Sequence, residues 1–123
     1  MNKYVKIGAI FAMLAVAIGA FGAHMLEDRV SADDLDVYET GVHYHMFHAV
    51  GLLVVGLLMD KLPNRKLGEW AGRLLTVGIV LFSGSLYVLA ISGVKVLGAI
   101  TPLGGVAFIA GWICLAVASG RKQ

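Results

Sequence analysis

Apolar residues fill four long runs of this chain, roughly Val5–Met25, His43–Met59, Ala71–Ile91 and Pro102–Ala118, and polar residues gather in the intervals between them. Each run carries few charged residues or none. At 1.5 Å of rise per residue such runs reach about 25–31 Å as helices, matching the hydrocarbon thickness of a bilayer. Lipid offers the backbone no hydrogen bonds, so only helices and closed barrels cross it, and uninterrupted apolar runs lack the alternation of barrel strands. The pattern predicts an all-α fold: one domain over residues 1–123, an integral membrane four-helix bundle.

Local signals set the helix ends. In "SADDLDVY", Ser31 stands three residues before Asp34 in capping-box register, and Asp33, Asp34 and Asp36 suit the positive end of a helix dipole. The second helix is therefore expected to start near residue 33, ahead of its apolar run. "KLPNRK" is a tight turn, with Pro63 and Asn64 as breakers. In "AITPLGG", Thr101 is expected at the cap of the last helix and Pro102 at its first position. "GVKVLGA" becomes a short connector near the headgroups.

Composition agrees with a membrane solvent. Hydrophobic residues make up 59% and charged residues 15%, against about 45–50% and about 25% in soluble domains. The 16 glycines would weaken helices in water but let backbones approach closely in lipid. Small residues recur as Ala15, Gly19 and Ala23, as Gly8 and Ala12, as Ala107 and Gly111, and as Ala110, Cys114 and Ala118. These stripes read as helix contacts and as surfaces for homo-oligomer formation. The lone Cys114 permits no intramolecular disulfide. The first run resembles a signal peptide in outline but is long for that role, and it is expected to stay as a span.

Charge placement orients the bundle. Lys3, Lys6, Lys61, Arg65, Lys66, Arg73, Arg121 and Lys122 fall on one side, and only Arg29 and Lys95 on the other. The positive-inside rule then puts both termini in the cytoplasm. The acids of the first connection (Glu27, Asp28, Asp33, Asp34, Asp36 and Glu39) face outward.

Candidate chemistry concentrates in the histidines. His24 closes the first run, and His43, His45 and His48 open the second, so all four are expected on the outward side. His45 and His48 share a helix face, as do Tyr44 and His48, while His43 points away toward the interface. Ser83, Ser85 and Tyr87 in the third run, and Thr101, belong to the same half. Four imidazoles do not converge easily into a tetrahedral metal site from this spacing, leaving His24, His45 and His48 as weak metal candidates. A bis-histidine haem on His24 and His48 is a further reading, and a hydrogen-bonded polar layer joining the first two helices is the plainer one. Nothing marks a nucleophile elbow, a phosphate loop or a nucleic-acid surface.

"GAFGAH", "TGVHYHMFH", "LFSGSLY" and "TPLGG…FIAGW" together resemble the small four-helix membrane family of bacterial YgdD and YwdK, over nearly the whole chain. The resemblance implies a bacterial inner-membrane location and topology, and no reaction. The family pattern matches at His24, Thr40, Gly41, Tyr44, Phe47 and His48, and omits His43 and His45.

The expectation is a non-enzymatic protein without a cofactor, its candidate ligand-binding cluster being His24, Tyr44, His48, Ser83 and Tyr87. Membrane lipids, a small ligand and a second copy are its expected partners. A small-solute or proton-coupled transporter subunit is the alternative, with haem or metal binding second.

Overall fold

The structure is a computed structural model and describes residues 3–120. It is all-helical: α1 (Lys3–Met25), α2 (Ala32–Leu58), α3 (Arg65–Ser92) and α4 (Thr101–Ala118). A 3₁₀ turn at Met59–Lys61 ends α2, and another at Lys95–Ala99 leads into α4. All four helices are long and apolar enough to cross a membrane, the last when that second turn is included. Helices α1 and α4 cover their apolar runs, α2 begins at Ala32, ahead of its run, and α3 begins at Arg65, ahead of its own. Arg121 and Lys122 lie outside the described residues.

The caps follow sequence chemistry at two of three places. The Asp34 N–H donates to Ser31 Oγ at 3.0 Å, as the capping register predicts. Asn64 does more than break the chain: the Leu67 N–H donates to its Oδ1 at 3.1 Å. Thr101 is a correction. It forms the first residue of α4, after an Ile100 that makes no side-chain cap, and its hydroxyl instead bonds Ser85 Oγ at 2.6 Å. Pro102 still occupies the first turn, where its missing N–H leaves no bond unmade.

Helix α2 is the centre of the molecule. It packs along α1 on one side and against α3 on the other, α3 lies along α4, and α4 reaches α2 through the side chains of Phe108 and Trp112. In lipid such contacts rest on close fit rather than water exclusion. The fit is tight where glycine removes the side chain. A Cβ on Gly8 would stand 2.9 Å from the Ala49 carbonyl oxygen, and one on Gly104 would overlap the backbone of Phe82. The α1 stripe that meets α2 runs through Tyr4, Gly8, Ala15 and Gly22, combining the two ladders read from the sequence. Ala23 has its side chain outside the described set.

One feature of α3 has no counterpart in the sequence pattern. Residues Ile79–Ser83 form a π turn within the helix. Such a turn carries one extra residue and re-aims the side chains beyond it. Here it presses against α4 at Gly104 and against α2 through Ser83, whose Oγ donates to the Gly41 carbonyl at 2.7 Å. Ser83 is completely buried.

Candidate functional site

The imidazoles of α2 separate as helical spacing requires. His45 and His48 are buried, and His43 is exposed. His48 turns toward α4, where Trp112 Nε1–H donates to its Nε2 at 3.0 Å. An indole nitrogen only donates, so Nδ1 must carry the ring's proton, and it donates to the Tyr44 carbonyl at 2.7 Å. This network assigns His48 as the neutral Nδ1–H tautomer. Phe108 lies flat on the ring, with centroids 3.6 Å apart and planes within 9°. Tyr44 and Phe82 extend the aromatic packing, their centroids 4.5 Å apart.

His45 faces the opposite side of α2. Its Nδ1 and the Tyr87 hydroxyl of α3 are 2.7 Å apart, and its ring meets Phe11 of α1 edge-on at 5.7 Å. Its Nε2 is buried with no hydrogen-bond partner among the described residues. The Phe11 backbone lies close to the ring. Tyr38 packs on Tyr87 at 5.2 Å and donates its hydroxyl to the Ile18 carbonyl at 2.7 Å, fastening the C-terminal part of α1 to the N-terminal part of α2.

The expected cluster therefore divides. Tyr44 and His48 belong to an aromatic group shared by α2, α3 and α4, whereas Tyr87 belongs with His45 in the seam of α1, α2 and α3. Ser83 binds a backbone carbonyl between the two groups. His24 joins neither. Gly22 meets Tyr38 and Gly19 meets Val42, so the antiparallel register puts His24 beside the first turns of α2, where it is exposed. At 1.5 Å per residue this is roughly 18 Å along the bundle from the level of His48. His45 and His48 sit near the middle of α2 rather than at its N-terminal end. The expectation that His24 and His48 approach each other is thus corrected, and with it the geometry of a bis-histidine haem on that pair. His24, His45 and His48 do not converge, and among the described residues no group of three or more histidine, cysteine or acidic side chains is placed to hold a metal ion.

Trp112 and Phe108 were missed as site residues. A signal for Trp112 existed: a buried imidazole needs partners, and this is the indole N–H lying deep in an apolar run.

Two open clefts flank this aromatic group and share Tyr44 and His48. One, about 350 Å³, is completed by His43 and Phe47. The other, about 340 Å³, runs between α2 and α4 along Phe82, Gly105, Phe108, Ile109 and Trp112. Tyr44 is 45% exposed, and its hydroxyl makes no hydrogen bond among the described residues.

A family profile described as "Protein of unknown function (DUF423)" matches residues 18–105. The UPF0382 membrane protein YwdK of Bacillus subtilis is 55% identical over 119 residues, covering 97% of each chain. The chain belongs to this family. A UPF0382 membrane protein of Staphylococcus epidermidis is 50% identical over 97% of this chain and 96% of its own, and one of Staphylococcus aureus is 45% identical with the same coverage. No solved structure matches the chain. Membership makes this a multi-pass membrane protein of a family whose biochemical activity is unassigned, in agreement with the resemblance read from the four motifs.

Proposed function

We propose that this family member is a non-enzymatic protein of the bacterial cytoplasmic membrane, with both termini in the cytoplasm, that holds an apolar chain such as a lipid acyl tail in the aromatic cleft between α2 and α4. The observation that carries the reading is the pairing of a saturated His48 with an open, ring-lined cleft. Both nitrogens of His48 are spent on structure, so it serves as a latch that fixes the wall of the cleft. The Tyr44 hydroxyl is the polar group left over beside it. The apolar walls suit a hydrocarbon, and small-ligand sites are commonly of this kind.

The non-enzymatic part rests on the hydroxyls. Ser83 donates to the Gly41 carbonyl, Ser85 to the Phe82 carbonyl, and Thr76 to the Gly72 carbonyl. Each of these three hydroxyls is spent on a backbone carbonyl rather than held by an imidazole, which supports a structural role for them.

Photo-crosslinking with a phospholipid carrying a diazirine on its acyl chain tests the reading. Adducts are expected at Tyr44, Phe108 and Ile109, and Gly105→Leu, which fills the cleft, is expected to abolish them while the protein remains folded. Undiminished adducts in that variant would overturn the proposal.

A further inference from the structure

A second groove lies on another face, between the first turns of α1 and the start of α3. It encloses about 310 Å³ and is lined by Lys3, Tyr4, Ile7, Arg73, Thr76 and Val77. Tyr4 bridges the two helices here. Its ring sits against Gly72, where any Cβ would overlap it, and its hydroxyl donates to Glu69 Oε1 at 3.0 Å. The groove opens beside this bridge, at the end of the bundle where Lys6, Lys61, Arg65 and Lys66 also lie.

We propose that this groove binds one anionic phospholipid, its phosphodiester held by Lys3 and Arg73 and an acyl chain lying on Ile7 and Val77. The inference is independent of the aromatic cleft. Its first support is charge. Glu69 already accepts from the Tyr4 hydroxyl and lies 3.1 Å from the Lys3 ammonium, so its charge is locally answered. Arg73 makes no ion pair among the described residues. Its guanidinium rests 5.1 Å over the Trp70 ring and lies beside Tyr4 and Glu69, and with five N–H donors it keeps some for a further anion. Two cations against one carboxylate leave positive charge in excess.

The second support is the polarity gradient. Thr76 donates its hydroxyl to the Gly72 carbonyl at 2.8 Å and provides no donor to the groove. Below Lys3 and Arg73 the lining is therefore apolar, and Val77 is 46% exposed there. A soluble anion would leave that floor bare. A lipid places phosphate and hydrocarbon in this order, and Trp70 marks the depth at which headgroups meet chains. Basic recesses between transmembrane helices have this character toward acidic headgroups.

Native mass spectrometry of the detergent-solubilised protein tests the assignment, using phosphatidylglycerol and phosphatidylcholine with identical acyl chains. Phosphatidylglycerol retention is expected to fall about fivefold for Arg73→Gln and about fivefold again in the Arg73→Gln, Lys3→Gln double variant, the scale of one juxtamembrane charge each. Arg73→Lys is expected to restore most of it. Lys61→Gln with Lys66→Gln removes equal charge from the same end, outside the groove, and is expected to change little. Arg73 is exposed, so its single variant keeps the test valid even if loss of the Lys3–Glu69 pair unfolds the double variant. Equal loss in the Lys61/Lys66 control, unchanged retention in Arg73→Gln, or equal retention of phosphatidylcholine by the wild type would each overturn the proposal. Gly105→Leu leaves this groove untouched, so failure of either lipid reading is seen separately from the other.

Discussion

Trp112 of α4 donates its indole N–H to Nε2 of the buried His48 in α2 at 3.0 Å. That one bond decides the protonation state of a mid-helix histidine and fastens two helices otherwise joined by aromatic contact. An ionisable residue inside a span invites a functional reading by default. Here the hydrogen-bond count favours a structural one.

The first prediction concerns this bond. Trp112→Phe keeps an aromatic ring in place but strips His48 of a donor. A double-mutant cycle with His48→Phe is expected to give a coupling of about 0.6–1.7 kcal/mol, the range seen for hydrogen bonds between transmembrane helices. Reversible unfolding in mixed micelles measures it. A coupling near zero would mean that the bond does not join the helices.

The two buried histidines should respond differently to removal. His45 carries an unpartnered Nε2, whereas His48 has both nitrogens bonded. His45→Phe is expected to cost less stability than His48→Phe, because it also eliminates an unsatisfied buried atom worth about 1–3 kcal/mol. The same unfolding assay compares them. The opposite ranking would show that Nε2 of His45 has found a partner.

Glycine replacement separates close packing from mere helix content. Gly104→Ala drives a Cβ into the Phe82 backbone at the π turn, while a methyl group added at Gly84 would meet nothing within 4 Å. Overpacking of this kind costs about 1–3 kcal/mol. Gly84→Ala is expected to be neutral or slightly stabilising, since alanine is the better helix former. Thermal unfolding of the two variants side by side reads the contrast, and equal midpoints would refute it.

Topology is testable by chemical labelling. With Cys114 replaced by alanine, a cysteine placed at Asp33 or Val94 is expected to react with an impermeant maleimide in intact cells. One placed at Lys61 or Ser119 is expected to react only after permeabilisation. Reversed accessibility would turn the bundle over in the membrane.

Much of this architecture follows from the sequence itself. Run length against bilayer thickness yields four helices, and the Ser31–Asp34 spacing places the start of α2, because both depend on neighbours within a turn or on a solvent that averages over the chain. The same is true of His43, whose exposure follows from its angle on the helix. What tertiary structure alone decided is which residues meet across helices. The register of α1 on α2 is set by how Gly8, Gly19 and Gly22 let the backbones slide together, and that register leaves His24 roughly 18 Å along the bundle from His48. The π turn at Ile79–Ser83 re-aims Ser83 toward Gly41 and is stabilised by contacts with other helices. His48 finds Trp112, 64 positions away, because helix packing brings their faces together, and no local pattern encodes that distance.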